Sequence, residues 1–468
     1  MPIRFAFALL GVTLFLNGCA GTFQCDEDRV EPYMEVDRGS ELDPGDLDFQ
    51  PDPRGRFDIP GEERVDRARA NPCLAQSPRI VDPPTPEERE VREAQAFADL
   101  RVRVETLSQD GFDLGSTANT MRLRLGGTTP RVAGFDAGIA FQTNQVLDDI
   151  RYADSTGAQP NRPVIRDPAD TGVSEGWGRY VTAGDGFEVK VGRQALRHDN
   201  QRFVGSSSFR QLEQTYNAAA FRFGTGETWQ LDAQHLSQGI TPLGPNNPDR
   251  SLGKMDVGAT LLDFSRQIGD SQLGLYAHHV DFDDQRVSHQ NLGLRLHGRL
   301  PWTERFDYRL ELAEQSDLRG TGPEDGLGYY HLKLGQSLDD WRWYAGQERL
   351  EGDGELGYQT PLGSTHEFNG WVDRFLTIPS LGLVDNYAGV VVSRWGWDFE
   401  SRMHQFRVEN GSGGYGEELG IRAGRSLGDN LRVDIGYSRY FGEDNDAHGY
   451  EDLRGDSRRS WISLGAEF

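Results

Sequence analysis

Four arginines in two neighbouring segments carry the clearest chemical signal in the chain. Arg101 and Arg103 alternate with Leu100, Val102 and Val104, while Arg122 and Arg124 alternate with Met121, Leu123 and Leu125. A period of two puts each set on one face of an extended strand. Guanidinium groups gathered on one face select anions, and each planar fork can hold a carboxylate at two points. Assigning the apolar residues outward along the rest of the chain turns further cations inward. These are Lys190, Arg222, Arg295, Arg299, Arg309, Lys333, Arg342, Arg402, Arg422 and Arg432. Acids turn inward with them: Glu105, Glu188, Asp307, Glu311, Glu348, Asp398, Glu400, Asp434 and Glu467. The inward set leans positive, although the whole chain has a formal net charge of -25. For any one residue the competing reading is an Arg–Glu ladder that only stiffens a wall.

Other chemistries find no support. The sequence has no Gly-x-Ser-x-Gly elbow, no His-Glu-x-x-His and no Cys-x-x-Cys, and Gly411–Gly416 lacks the Lys-Ser/Thr of a P-loop. His278 and His279 alternate faces within one strand, so they cannot ligate one metal from the same side. Asp43, Asp46, Asp48 and Asp52 lack the spacing of a calcium loop. The expectation is a non-enzyme with no catalytic residues, no metal and no cofactor. The acidic balance argues against nucleic acid as a partner.

The elements that would position these side chains are strands. Mean hydropathy is -0.63 and hydrophobic residues make up 36%, too little for a helical membrane protein. No stretch after residue 20 approaches the roughly 20 apolar residues of a spanning helix. A barrel escapes that objection, because only every second residue meets lipid. Alternating segments recur from residue 98 to Trp461–Phe468, where the chain stops mid-strand on an aromatic residue. Tight turns such as Gly269-Asp270 and Gly428-Asp429-Asn430 separate some strands, and long polar loops (144–184, 194–214, 237–255, 441–457) separate others. The fold class expected is all-β, a transmembrane antiparallel β-barrel of about 18 strands over residues 98–468. A barrel of that size leaves an aqueous channel. If its ends meet, Glu467 lies beside the arginines of the first strand.

Residues 1–18 read as a signal peptide, with Arg4 before an apolar run. Leu16-Asn17-Gly18-Cys19 resembles a lipobox, which would make Cys19 a lipidation site; ordinary cleavage after Ala20 is the alternative. Cys25 and Cys73 then remain as a disulfide pair in an oxidising periplasm. Residues 19–97 form an acidic, Pro-rich periplasmic extension, mostly irregular because it has little apolar surface to bury.

Two segments resemble a known family. Residues 368–387 read FNGWVDRFLTIPSLGLVDNY; residues 191–205 read VGRQALRHDNQRFVG, followed by Arg210 and Tyr216-Asn217-Ala218. Both are similar to the alginate export family of outer-membrane proteins, with motif residues Arg193, Trp371, Asp373, Arg374, Phe375 and Asp385. The resemblance implies an 18-stranded monomeric barrel, set in outer-membrane lipid, that passes an anionic polysaccharide through an arginine-lined constriction. The pore-lining set is then Arg101, Arg103, Arg122, Arg124, Lys190, Arg295, Arg309, Lys333, Arg342, Arg422, Glu105 and Glu467. Asp373, Arg374 and Arg193 are expected to brace loops or line the pore mouth. The alternatives are a selective or general porin for a small anionic solute, and an interaction protein that recruits periplasmic secretion proteins.

Overall fold

The computed structural model describes residues 93–284, 286–300, 303–318, 326–364, 366–444 and 449–468. The expected signal peptide, Cys19, the Cys25–Cys73 disulfide and nearly all of the acidic extension lie outside the described residues.

One antiparallel sheet closes on itself. In chain order its strands are β1 (Gln95–Gln109), β2 (Ser116–Thr128), β3 (Phe135–Val146), β4 (Asp170–Val181), β5 (Phe187–Gln194), β6 (Thr215–Phe223) and β7 (Trp229–Ile240). Then come β8 (Lys254–Met255), β9 (Val257–Ile268), β10 (Ser271–Phe282), β11 (His289–Leu300), β12 (Thr303–Asp317), β13 (Leu327–Leu338) and β14 (Trp341–Leu350). The last are β15 (Leu383–Arg394), β16 (Trp397–Val408), β17 (Gly414–Leu427), β18 (Leu431–Gly442) and β19 (Ser457–Glu467). The two-residue β8 only edges β7, so the barrel wall has 18 strands. Closure runs β1 against β19, with Val102 opposite Leu464 and Val104 opposite Ile462. Ala98 and Phe468 exchange backbone hydrogen bonds of 2.9 and 2.8 Å at the seam. Among the described residues every wall strand is paired on both sides, which is what a bilayer demands of a sheet.

β4 was not foreseen; it lies inside the segment read as the loop 144–184. Gly176 and Gly178 interrupt its outward face, and a register shift against β3 at Ala140/Phe141 breaks the two-residue signal. The glycines of this region make room. A Cβ on Gly138 of β3 would lie 2.5 Å from the Trp177 ring.

The two faces invert the pattern of a soluble protein. Leu125, Ile139, Leu262, Leu275, Leu312, Leu334, Ile421 and Leu464 are exposed on the outside, whereas Arg103, Glu105, Asp263, Arg295, Glu311, Arg342 and Glu348 are buried inside. Hydrocarbon is the outer solvent, so apolar side chains belong there. Trp341 stacks with Trp343, and Trp397 with Phe399, beside the tight turns 339–340 and 395–396. These aromatics form part of an interfacial belt. Tight turns and both ends of the sheet share one rim; the long connections 147–169, 195–214, 241–256 and 351–382 share the other.

The expectation of an aqueous lumen is corrected at the long-loop end. Tyr152, Ile165, Leu196, Phe203, Leu212, Tyr358, Val372 and Phe375 come from infolded loops and pack on inward Leu261, Tyr276, Tyr329, Phe406 and Tyr440. Some apolar wall residues therefore face in, because the loops give them a core to join.

Candidate functional site

The tryptophan motif lies on the longest infolded loop. Asn369, Gly370 and Asp373 have φ of 55°, 89° and 65°, and this left-handed stretch turns the chain sharply. Gly370 cannot be replaced without movement, since a Cβ there would stand 2.3 Å from Glu418 Oε2. Glu418 of β17 accepts from the backbone N–H of Trp371 at 2.5 Å and of Val372 at 3.2 Å, and from the Ser438 hydroxyl at 2.6 Å. The loop thus docks on a wall carboxylate. Trp371, 1% exposed, lies under the guanidinium groups of Arg402 and Arg422 at 4.7 and 4.6 Å and meets Trp461 edge-on.

Asp373 joins three elements. It receives Arg210 of the 195–214 loop at 2.5 Å, Arg459 of β19 at 2.9 Å and His366 at 2.7 Å. Burial alone would raise its pKa, but Arg459, His366 and Arg210 hold the carboxyl well below the usual range. Asn369 accepts from Arg202 at 3.0 Å and donates to Glu348 at 2.7 Å and to Asp385 at 3.2 Å. Asp385 in turn pairs with His404 at 2.9 Å. Phe375 packs on Phe406 with ring centres 4.5 Å apart, and Arg374 donates to the Asp452 carbonyl. Arg193 braces the wall, donating to Asn217 at 3.0 Å and to the Val173 carbonyl at 3.1 Å. The motif is a strut across the lumen rather than a rim.

The four opening arginines separate into two kinds. Arg103 lies 3.7 Å from both Glu105 and Asp167, Arg122 pairs with Asp99, and Arg124 pairs with Glu175 and, at 3.4 Å, with Glu213. The ladder reading describes these three. Arg101 instead donates to Gln211 at 2.8 Å and to the carbonyls of Ser208, at 3.0 Å, and Arg210. Among the described residues neither Arg101 nor Arg166, on the 147–169 loop, has a carboxylate within ion-pair reach. Both line a cavity of about 1550 Å³, together with Arg210, Arg422, Arg432, Glu367 and Glu400.

Glu105 is fully buried between Arg459 at 2.8 Å, Arg210 at 3.3 Å and Arg103 at 3.7 Å. Arg459 escaped the sequence reading, although extending the period from Ser463 through Trp461 would have turned it inward. Glu467 lies opposite Asp99, while Arg101 and Arg103 oppose Gly465 and Ser463, so the expected neighbourhood with arginine is displaced by one pair.

A second cavity, about 440 Å³, is lined by Arg299, Arg309, Lys333, Asp307, Glu348 and Asp385 among others. Arg309 pairs with Asp199 and with Glu311 at 2.5 Å, and Arg342 pairs with Asp307 at 2.8 Å. Lys333 stands 4.4 Å over the Tyr344 ring. Elsewhere on the wall, Arg295 pairs with Asp263 at 2.6 Å, Arg422 with Glu400 at 2.7 Å, and Lys190 reaches Glu175 at 4.0 Å.

A family model described as alginate export matches residues 96–357, ending before the tryptophan motif. Among solved structures, OpdK with vanillate, from Pseudomonas aeruginosa, superposes with a TM-score of 0.59 at 13% identity, covering 80% of this chain and 98% of that one. OccK9 (OpdG) of the same organism gives 0.61 at 12% identity, over 81% of this chain and 100% of that one. OpdO of that organism gives 0.56 at 15% identity, over 81% and 98%. At such identities the likeness is one of fold. No curated protein matches.

Proposed function

The chain is an outer-membrane β-barrel channel belonging to the alginate export family, and from that premise we propose that it passes an anionic polysaccharide of the alginate type, passively, along its cationic lumen. The observation that carries this reading is the pair Arg101 and Arg166, which face the larger cavity without a carboxylate partner among the described residues. Paired arginines contribute little net field; these two have no ion-paired carboxylate among the described residues to cancel theirs. Near a protein surface a unit charge at 4 Å is worth about 4 kcal/mol, enough to choose the sign of a passing ion. Glu367 and Glu400 on the same cavity keep such a site weak enough to release its cargo. No catalytic step is part of this reading.

Single-channel recording of the purified barrel tests it. Anion preference, with current blocked by added polyuronate and both effects reduced in Arg101→Ala/Arg166→Ala, is the expected outcome. Cation preference, or indifference to polyuronate, would sink the reading.

A second reading is favoured by the infolded loops: a channel for small anionic solutes. The loops leave cavities of about 1550 and 440 Å³, and OpdK, similar in fold, was determined with vanillate. Vesicles carrying the barrel separate the two. Release of an entrapped oligouronate supports the polysaccharide; release of small carboxylates alone supports the small-solute channel.

A further inference from the structure

His278 and His279 do face opposite sides of β10, but the partners of His278 come from other elements. His278 is buried and inward, whereas His279 is exposed. Asp263 on β9 stands opposite Tyr276, one diagonal step from His278 on the same inner face. His198 arrives from the infolded 195–214 loop. Its Nδ1 lies 2.8 Å from Asp263 Oδ2, and His278 Nε2 lies 2.9 Å from that same oxygen. The ligand atoms of the three residues all fall within 4.8 Å of one another.

Three features suit a metal ion better than a hydrogen-bonded cluster alone. Two imidazoles and one carboxylate are a donor set for zinc-like cations, and their ligand atoms stand close enough that a shift of about half an ångström from 2.8 and 2.9 Å opens the roughly 3.3 Å spacing of a tetrahedral ion. The other oxygen of Asp263 accepts from Arg295 Nη2 at 2.6 Å, as the outer partner of a ligating carboxylate does. His198 Nδ1, although 2.8 Å from Asp263 Oδ2, makes no well-formed hydrogen bond among the described residues, and neither does Nε2; a buried ring so poorly satisfied needs a reason. The local charge admits a cation, since Asp263, Asp199 and Glu311 outnumber Arg295 and Arg309.

We propose that His198, Asp263 and His278 bind a divalent transition cation of the zinc class, leaving a fourth position for water, and that the ion fastens the 195–214 loop to the barrel wall. This site is independent of the channel's cargo. Calcium and magnesium do not fit, because two of the three ligands are imidazole nitrogens.

The test is equilibrium dialysis of Zn²⁺ against the untagged, chelator-stripped full chain in detergent, with folding checked by heat-modifiable migration on gels. One Zn²⁺ per chain, not displaced by excess Ca²⁺, is expected. Affinity should fall in His198→Ala and in His278→Gln by more than the roughly 10–100-fold that loss of an outer partner costs, and His279→Ala should bind as the parent does. Co²⁺ should give the visible absorption of a tetrahedral site in the parent and lose it in the two variants. Absence of bound Zn²⁺, or equal binding by the parent and His198→Ala, overturns the proposal. If His278→Gln fails to fold, His198→Ala decides alone, because it alters only a loop.

Discussion

Asp373 carries more of the lumen's organisation than any arginine singled out by spacing. One buried carboxylate answers Arg210, Arg459 and His366, drawn from two loops and a wall strand. Its depressed pKa means the link holds above the ordinary aspartate value of about 3.9 and fails only as pH falls through the lower folded value. The strut therefore does not titrate near neutrality through this residue. Asp373→Asn leaves two buried guanidiniums short of countercharge, and removing one partner of a buried pair costs about 3–5 kcal/mol. Urea unfolding of the barrel should show a loss of that order, with noisier open-channel current. Stability and current both equal to the parent would contradict this account. Residue roles of this kind were only half legible. The motif marked Asp373, but nothing in its spacing says that Arg459, 86 positions away, reaches it.

Among elements, the strands were the readable part. Lipid on one side and water or polar loop on the other force the period of two, and that period survives in any strand with enough apolar residues. Ile421 and Leu275 show the outward face plainly. An arginine at Ile421 on that face should cost about 2–4 kcal/mol in vesicle-based unfolding if it lies near the midplane. A cost indistinguishable from zero would mean that this face does not meet hydrocarbon. β4 was hidden because Gly172, Gly176 and Gly178 leave too few side chains in it to show a period of two. Inward apolar residues such as Leu261 depart from the rule of apolar side chains outward for a related reason: their environment is made by loops, not by the strand's own pattern.

For the whole molecule, the infolded loops fill part of the lumen at the long-loop end. Loops 195–214 and 351–382 are joined to each other through Arg202–Asn369 and Arg210–Asp373, and both are anchored to the wall. Replacing residues 359–377 with a short Gly-Ser linker should raise single-channel conductance several-fold while leaving the heat-modifiable barrel intact. An unchanged conductance would place the constriction elsewhere. By itself the sequence determined an all-β barrel, its lipid face and the closing strand β19, because these follow from contacts local to each strand and its solvent. Which arginines lack a carboxylate partner among the described residues, and which histidines meet, was decided only in the tertiary structure. Arg101 and Arg122 carry the same pattern in the chain, yet one meets loop carbonyls and the other Asp99. His198 meets His278 only because the loop folds inward. Such pairings depend on how loops distant in sequence pack inside a closed wall, and no periodicity encodes that.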